Sequence, residues 1–439
     1  MATKPKIIVL DDDPTGSQTV HSCLLLMQWD VETLTMGLRD ESPIFFILTN
    51  TRAMTPERAK ATTQEVCRNL KTAIAQENLS DFLIVSRSDS TLRGHYPIET
   101  DAIAEELGGF DGHFLTPAFF EGGRFTRDSV HYLLVNGVET PVHETEFAQD
   151  SVFGYSHSYL PDYVEEKTQG SIRAGDVFRF TRSDIHNGCL DTLLQMHDNQ
   201  CGVVDGETQA DLDKLAQDVL KAAQQGKRFL FRSAASWLTA LAQPGEQPVA
   251  AENMARYVRS NRPGAVLVGS HVRKTTTQLE NLLPEPDVEG IEVDVSHLLE
   301  DTPQQRDDLL KRTLQRVGEI YQQDKTPVIY TSRQELQFPD RSTRLAFGEK
   351  VSHLLMDIVR GLPWELGFLI SKGGITSNDV LSKGLNLTSA RLLGQILAGC
   401  SVVRTPADHP QFPNLPVVLF PGNVGDERAL ATVHRRFRP

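Results

Sequence analysis

Apolar positions along this chain come in short unbroken runs, each closed by small, polar or charged residues. In the first half these are residues 7–10 (IIVL), 44–48 (IFFIL), 82–85 (FLIV), 112–115 (GHFL), 201–204 (CGVV) and 228–232 (RFLFR). In the second half they are 265–268 (AVLV), 328–330 (VIY), 368–370 (FLI) and 417–420 (VVLF). A run without alternation is how a strand buried on both faces of a parallel sheet reads. Helical patterns fall between the runs. Thr55 reads as an N-cap with Pro56 at the first helical position, and Val66, Leu70, Ala73 and Ile74 share one helical face. Residues 101–107 and 210–225 also read as helices, and 22–28 as either a helix or a second strand. Strand, loop and helix in alternation predict right-handed βαβ units and an α/β fold with mostly parallel sheets flanked by helices. The segment 121–180 interrupts this pattern with many Gly, Tyr, His and Thr residues, and reads as loops and short strands covering the site at the first strand. The stretch 243–248 (QPGEQP) reads as a linker, which predicts two domains, 1–242 and 249–439.

The chemistry gathers where these strands end. The first run meets Asp11, Asp12 and Asp13, then Pro14 and Gly16. In open α/β sheets ligands bind at the carboxyl ends of strands. An acidic cluster there can hold Mg²⁺, orient a sugar hydroxyl or take a proton, the simpler alternative being a capped turn. The loop 86–94 (SRSDSTLRG) crowds Asp89, Ser90 and Arg93 after another buried strand. Its hydroxyls suit a polyol, and Arg93 offers a bidentate fork to a carboxylate or phosphate, with Arg52 as a second fork. Arg124 and Arg127 read as weaker anion contacts, and the scattered histidines as structural. Residues 371–379 (SKGGITSND) form a candidate phosphate loop. Gly373 and Gly374 would let backbone N–H groups approach an anion, Lys372 would add charge, and a helix beginning near 376–378 would follow. A second glycine loop holds Gly422 and Asn423 after the last strand. Neither is a Walker A sequence, and no G-x-G-x-x-G occurs.

Composition narrows the class. The 439 residues carry a formal net charge of −14 and are 39% hydrophobic and 23% charged, an ordinary globular mixture. An acidic chain is a poor general binder of nucleic acid or of an anionic membrane. The five cysteines form no C-x-x-C pair, which fits a reducing cytoplasm better than a disulfide framework. The chain runs straight into its first strand, and no apolar stretch approaches the roughly 20 residues that span a bilayer.

Taken together these stretches resemble the four-carbon acid sugar kinase family. Asp12-Asp13-Pro14-Thr15-Gly16 is similar to its acidic strand-end motif, Asp89 to Gly94 to its D-S-T-L-R-G motif, and Pro117 to Thr126 to its P-A-F-x-x-x-G-R-x-T stretch. Gly269-Ser270, Gly373-Gly374 and Gly422-Asn423 look like its C-terminal G-S, G-G and G-N loops. The resemblance covers nearly the whole chain. It implies an N-terminal acid-sugar domain, a C-terminal nucleotide domain and a site in the cleft between them. Ile375 stands where many members carry an acidic residue, which leaves the Mg²⁺ ligands open.

The reading that follows is an ATP-dependent, Mg²⁺-requiring kinase of a small sugar acid such as a tetronate or 3-oxo-tetronate. Asp12 or Asp13 would serve the substrate hydroxyl, and Arg93 with Arg52 would clamp the carboxylate, beside Asp89 and Ser90. Ser270, Lys372, Gly373, Gly374, Ile375, Thr376, Gly422 and Asn423 would hold the nucleotide. No nucleic acid or membrane partner is expected, and a homodimer is compatible with this reading. Two rivals remain open at this level: a haloacid-dehalogenase-type phosphatase using Asp11 and Asp13, and a non-catalytic sugar-acid sensor.

Overall fold

The structure is a computed structural model describing residues 5–299, 303–333, 336–338, 340–422 and 424–438. Its contacts divide the chain into two units, Met1–Glu246 and Gln247–Pro439.

The first unit contains β1 (Lys6–Asp11), β2 (Leu24–Leu26), β3 (Ile44–Leu48), β4 (Phe82–Arg87), β5 (Gly112–Thr116), β6 (Arg124–Arg127), β7 (Val130–Val135), β8 (Val138–Pro141), β9 (Phe178–Phe180), β10 (Gln200–Val204) and β11 (Phe229–Ser233). Eight of them align in the order β2-β3-β1-β4-β11-β5-β10-β9, every neighbour parallel. The continuous apolar runs follow from this: Ile8, Leu10, Phe45, Ile47, Ile84 and Leu230 are buried in one cluster with Val66, Leu70 and Ala73 of the helix Pro56–Glu77. Thr55 caps that helix by accepting the Arg58 N–H, and Pro56 opens it. The chain leaves β1 for β3 on one side and returns to β4 on the other. Such a reversal opens a crevice at the carboxyl ends of the strands, here those of β1, β3 and β4.

The residues read as a helix or strand over 22–28 form a short strand, β2. The segment 121–180 is more regular than its composition implied. β6, β7 and β8 make a three-stranded antiparallel sheet, and Leu160–Lys167 is a helix. That helix is only two turns long, so it shows little period. It is fixed by packing Leu160, Tyr163 and Val164 against Leu92, Tyr96, Leu115 and Tyr155.

The second unit contains β12 (Ala265–Val268), β13 (Val288–Val293), β14 (Thr326–Thr331), β15 (Leu369–Lys372), β16 (Ser389–Leu397), β17 (Cys400–Arg404) and β18 (Pro416–Phe420). Their order is β13-β14-β12-β15-β18-β17-β16. The pairs from β13 to β18 are parallel, while β17 is antiparallel to both β18 and β16. The β16–β17 hairpin, closed by Ala398 and Gly399 with Gly399 at φ 77°, has no counterpart in the sequence reading. Here the reversal lies between β12 and β15. The loops after those strands are the Gly269-Ser270 and Gly373-Gly374 motifs.

Candidate functional site

In the first unit, the three carboxylates that follow the apolar part of β1 enter three different environments. Asp11 is wholly buried. Its Oδ1 accepts from the Asp13 N–H and from Arg87 Nη1, each at 3.3 Å, and its Oδ2 has no hydrogen-bond partner. Burial pushes this carboxyl up to about 7, with Arg87 opposing and Asp12 and Asp13 reinforcing the rise. The turn closes directly over it: a Cβ on Gly16 would lie 2.2 Å from the Asp11 carboxylate oxygens, so only glycine fits.

Asp12 is 1% exposed and accepts a fork from Arg52, Nε at 3.1 Å and Nη2 at 2.5 Å. It also accepts the Ser88 hydroxyl at 2.7 Å. Asp13 keeps 22% of its side chain exposed and accepts the backbone N–H and the hydroxyl of Thr15. Burial raises the Asp13 carboxyl, but Arg52, Arg87 and the Thr15 bonds outweigh it and hold the group below its usual range. Asp13 is therefore an ionised carboxylate within reach of a ligand, and Asp12 is committed to protein partners. Arg52, read as a substrate clamp, has its fork on Asp12 and its Nη1 at 3.5 Å from Asp13. It braces the acidic turn.

The loop after β4 packs onto this turn. Gly94, at φ 127°, has no room for a side chain: a Cβ would sit 2.4 Å from Ser88 Oγ and 2.5 Å from Arg232 Nη2. Asp89 accepts Arg93 Nε at 2.7 Å and the Thr91 hydroxyl. Burial opposes ionisation of Asp89, yet Arg52 and Arg93 hold its carboxyl well below the usual range. Arg93 also lies over the Phe147 ring at 4.9 Å, with Nη1 3.9 Å from Asp150. The Ser90 carbonyl accepts from His131 at 2.8 Å, which places that histidine in a structural role. A pocket opens beside the loop, lined on its polar side by Ser88, Asp89, Arg93, Arg232 and Ser233 and walled by Leu92, Tyr96 and Tyr163. The Tyr163 hydroxyl is tied to the Leu92 carbonyl at 2.9 Å, so the wall is fixed. Arg232 and Ser233 escaped the sequence reading. Their only signal was a polar pair closing an apolar strand.

In the second unit three loops converge. Gly373, at φ 119°, donates its N–H to the Phe420 carbonyl at 2.8 Å. A Cβ on it would lie 3.1 Å from both the Ser270 Cβ and Thr376 Oγ1. A Cβ on Gly422 would come within 3.4 Å of Ser270 Oγ, and Thr275 donates to the Gly422 carbonyl at 3.1 Å. Ser270, Gly373, Thr376 and Gly422 thus form one close-packed cradle. The helix begins at Gly374, two residues earlier than read, and Ile375 stands 74% exposed on its first turn.

Lys372 is fully buried. Its ammonium donates to the Pro421 carbonyl at 2.5 Å and to the Gly422 carbonyl at 3.2 Å, and lies 3.9 Å from the Phe420 ring centre. Burial pulls it down to about 7, Cys400 opposing and Lys274 reinforcing the fall. It holds the glycine loop from beneath. Asn423 lies outside the described residues. Among the described residues no three His, Cys, Asp or Glu side chains group as a metal cage. Asp379 beside the cradle is taken by Ser352 and by Lys383 at 2.8 Å.

Comparison with known proteins assigns the two halves. Residues 7–241 match the sugar-binding N-terminal domain, and residues 265–430 match the nucleotide-binding C-terminal domain. The chain is similar to a D-threonate kinase of Salmonella typhimurium, 25% identical over 444 residues that span 97% of this chain and 96% of that relative. It is also similar to a D-erythronate kinase of Heliobacterium modesticaldum, 27% identical over 220 residues, 48% of this chain and 47% of that relative. A solved Salmonella typhimurium protein shares the fold at TM-score 0.73 and 19% identity, covering 100% of both chains. A Haemophilus influenzae protein shares it at TM-score 0.67 and 18% identity, over 98% of this chain and 100% of that one.

Proposed function

Because the chain belongs to the four-carbon acid sugar kinase family, with its sugar-binding N-terminal and nucleotide-binding C-terminal domains, we propose that it is an ATP-dependent kinase of a small sugar acid, a tetronate or 3-oxo-tetronate. The observation that carries this reading is the pairing of two unlike sites, each at the strand reversal of its own unit. One is an acid-and-arginine pocket suited to a hydroxy acid. The other is a glycine cradle suited to phosphate. The named relatives that act on four-carbon acids support the choice of substrate.

Phosphoryl transfer asks the protein mainly for positioning and charge stabilisation. Asp13, ionised and reachable, orients the attacking hydroxyl and accepts its proton. Asp12 keeps Ser88 and Arg52 in place around it. Arg93 spends Nε on Asp89 and turns its remaining edge to the substrate carboxylate. In the nucleotide unit the backbone around Gly373 and Gly422 approaches the phosphates. Glycine at 373 and 422 is what would allow that approach, with the Ser270 and Thr376 side chains packed beside it. Among the described residues none group as a metal cage, so Mg²⁺ would be held largely by the nucleotide's own phosphates and would supply charge neutralisation there. We place the enzyme in the cytoplasm, where its five free, buried cysteines would stay reduced. Against the phosphatase alternative stands Asp11, which would have to attack phosphorus but is wholly buried beneath Gly16.

The test of the acid subsite is Arg93→Lys. A point charge cannot replace the planar fork, so KM for the sugar acid should rise about tenfold while KM for ATP stays unchanged. Equal changes in both constants would remove Arg93 from the acid subsite.

A further inference from the structure

Across the middle of the first unit's sheet, one register row has an unusual property. Asp11 of β1 pairs with Arg87 of β4, Arg87 with Ser233 of β11, and Ser233 with Thr116 of β5. All four residues are buried, with exposures of 0%, 5%, 3% and 0%. Each leaves a buried side-chain polar atom without a hydrogen-bond partner: Asp11 Oδ2, Arg87 Nε, Ser233 Oγ and Thr116 Oγ1. Folded proteins hold only a few such atoms per 100 residues, so four on adjacent strands in one row call for a cause. The row crosses the carboxyl ends of the strands, where α/β sheets bind ligands. Ser233 lines the pocket beside Asp89 and Arg93, and Leu115 and Pro117, the chain neighbours of Thr116, line it too. Arg232, next to Ser233, is anchored by Nη1 bonds of 2.7 Å to both Glu99 and Ser86, which holds the end of β11 rigid.

We propose that the Ser233 end of this row forms the polar floor of the sugar-acid site and that the Ser233 hydroxyl donates a hydrogen bond to an oxygen of the bound acid. The inference rests on the sugar-acid kinase reading and adds to it a recognition element outside the family motifs. A hydroxyl kept for a ligand contributes no bond to the empty fold, so its removal should cost affinity and not stability. Buried water bridging the row is the competing explanation.

The experiment is Ser233→Ala, with Thr116→Val as its companion, assayed on the full chain after the wild type has been shown to phosphorylate a sugar acid. Ser233→Ala should raise KM for the acid about tenfold, leave KM for ATP unchanged, and leave the urea midpoint unchanged or higher. An unchanged KM for the acid, with Arg93→Lys still raising it, would overturn the floor while leaving the kinase reading intact. A lowered urea midpoint with parallel changes in both KM values would make the hydroxyl structural and also overturn it. A wild type that phosphorylates no sugar acid would remove the kinase reading, and this inference with it.

Discussion

Asp13→Asn is expected to lower kcat by about 10²–10⁴-fold while ATP binding is retained, the range associated with losing a positioned proton acceptor. Of the three carboxylates it alone combines ionisation with access. Arg52, Arg87 and Thr15 hold it charged, and 22% of its side chain remains exposed. An amide at this position keeps the shape but cannot take the proton. Asp12→Asn should fall in the same range by a different route. It would loosen the Arg52 fork and the Ser88 bond that shape the turn. Its circular dichroism and urea midpoint should therefore change, whereas those of Asp13→Asn should not. Asp11→Asn should be milder, because Asp11 lies under Gly16 and meets only protein. Steady-state kinetics on the three variants, with ATP affinity measured separately by calorimetry, checks the ranking. An Asp11 variant as impaired as the Asp13 variant would reverse the assignment.

The second large effect is expected at Gly373. Its φ of 119° lies where side chains are strained, and a Cβ there would press on Ser270 and Thr376 at 3.1 Å. Gly373→Val should weaken ATP binding by about tenfold or more through strain alone. Loss of backbone approach to the phosphates would add to that. Sugar-acid binding, carried by the other unit, should survive. Gly374 is a less sharp test: it is the first residue of a helix and has no positive φ. ATP affinity unchanged in Gly373→Val by calorimetry would take this cradle out of the nucleotide site.

What could be read from the sequence follows from which forces are local. Strands buried on both faces declare themselves as unbroken apolar runs, and the ends of β3, β12 and β5 were legible to within a residue for that reason. The Thr55-Pro56 cap is likewise written in adjacent residues. The helix Leu160–Lys167 was hidden because distant residues, Leu92 and Leu115 among them, fix it. The β16–β17 hairpin was missed because its antiparallel pairing adds strands outside the strand–helix alternation. At the sites the motifs gave residue types at strand ends but not directions. Arg52 reads as a second fork for an anion and Lys372 as added charge beside a phosphate. In the structure Arg52 bonds Asp12, and the buried Lys372 bonds the Pro421 and Gly422 carbonyls. Such pairing of buried charge is expected wherever a ligand is not the only partner on offer. Ser233 and Thr116 were invisible because their significance lies in register across strands far apart in sequence.

The central claim, transfer of a phosphoryl group from ATP to a hydroxyl of a small sugar acid, is tested most directly by following products. The wild-type chain is incubated with MgATP and a panel of tetronates and 3-oxo-tetronates. ADP is read by a coupled assay, and the acid by ³¹P NMR and mass spectrometry. The account predicts ADP and a phosphorylated sugar acid in equal amounts with at least one member of the panel, and no such product with the Asp13→Asn protein on the same timescale. Release of inorganic phosphate from a sugar phosphate without any ATP requirement, or a phosphoryl group trapped on Asp11, would contradict it.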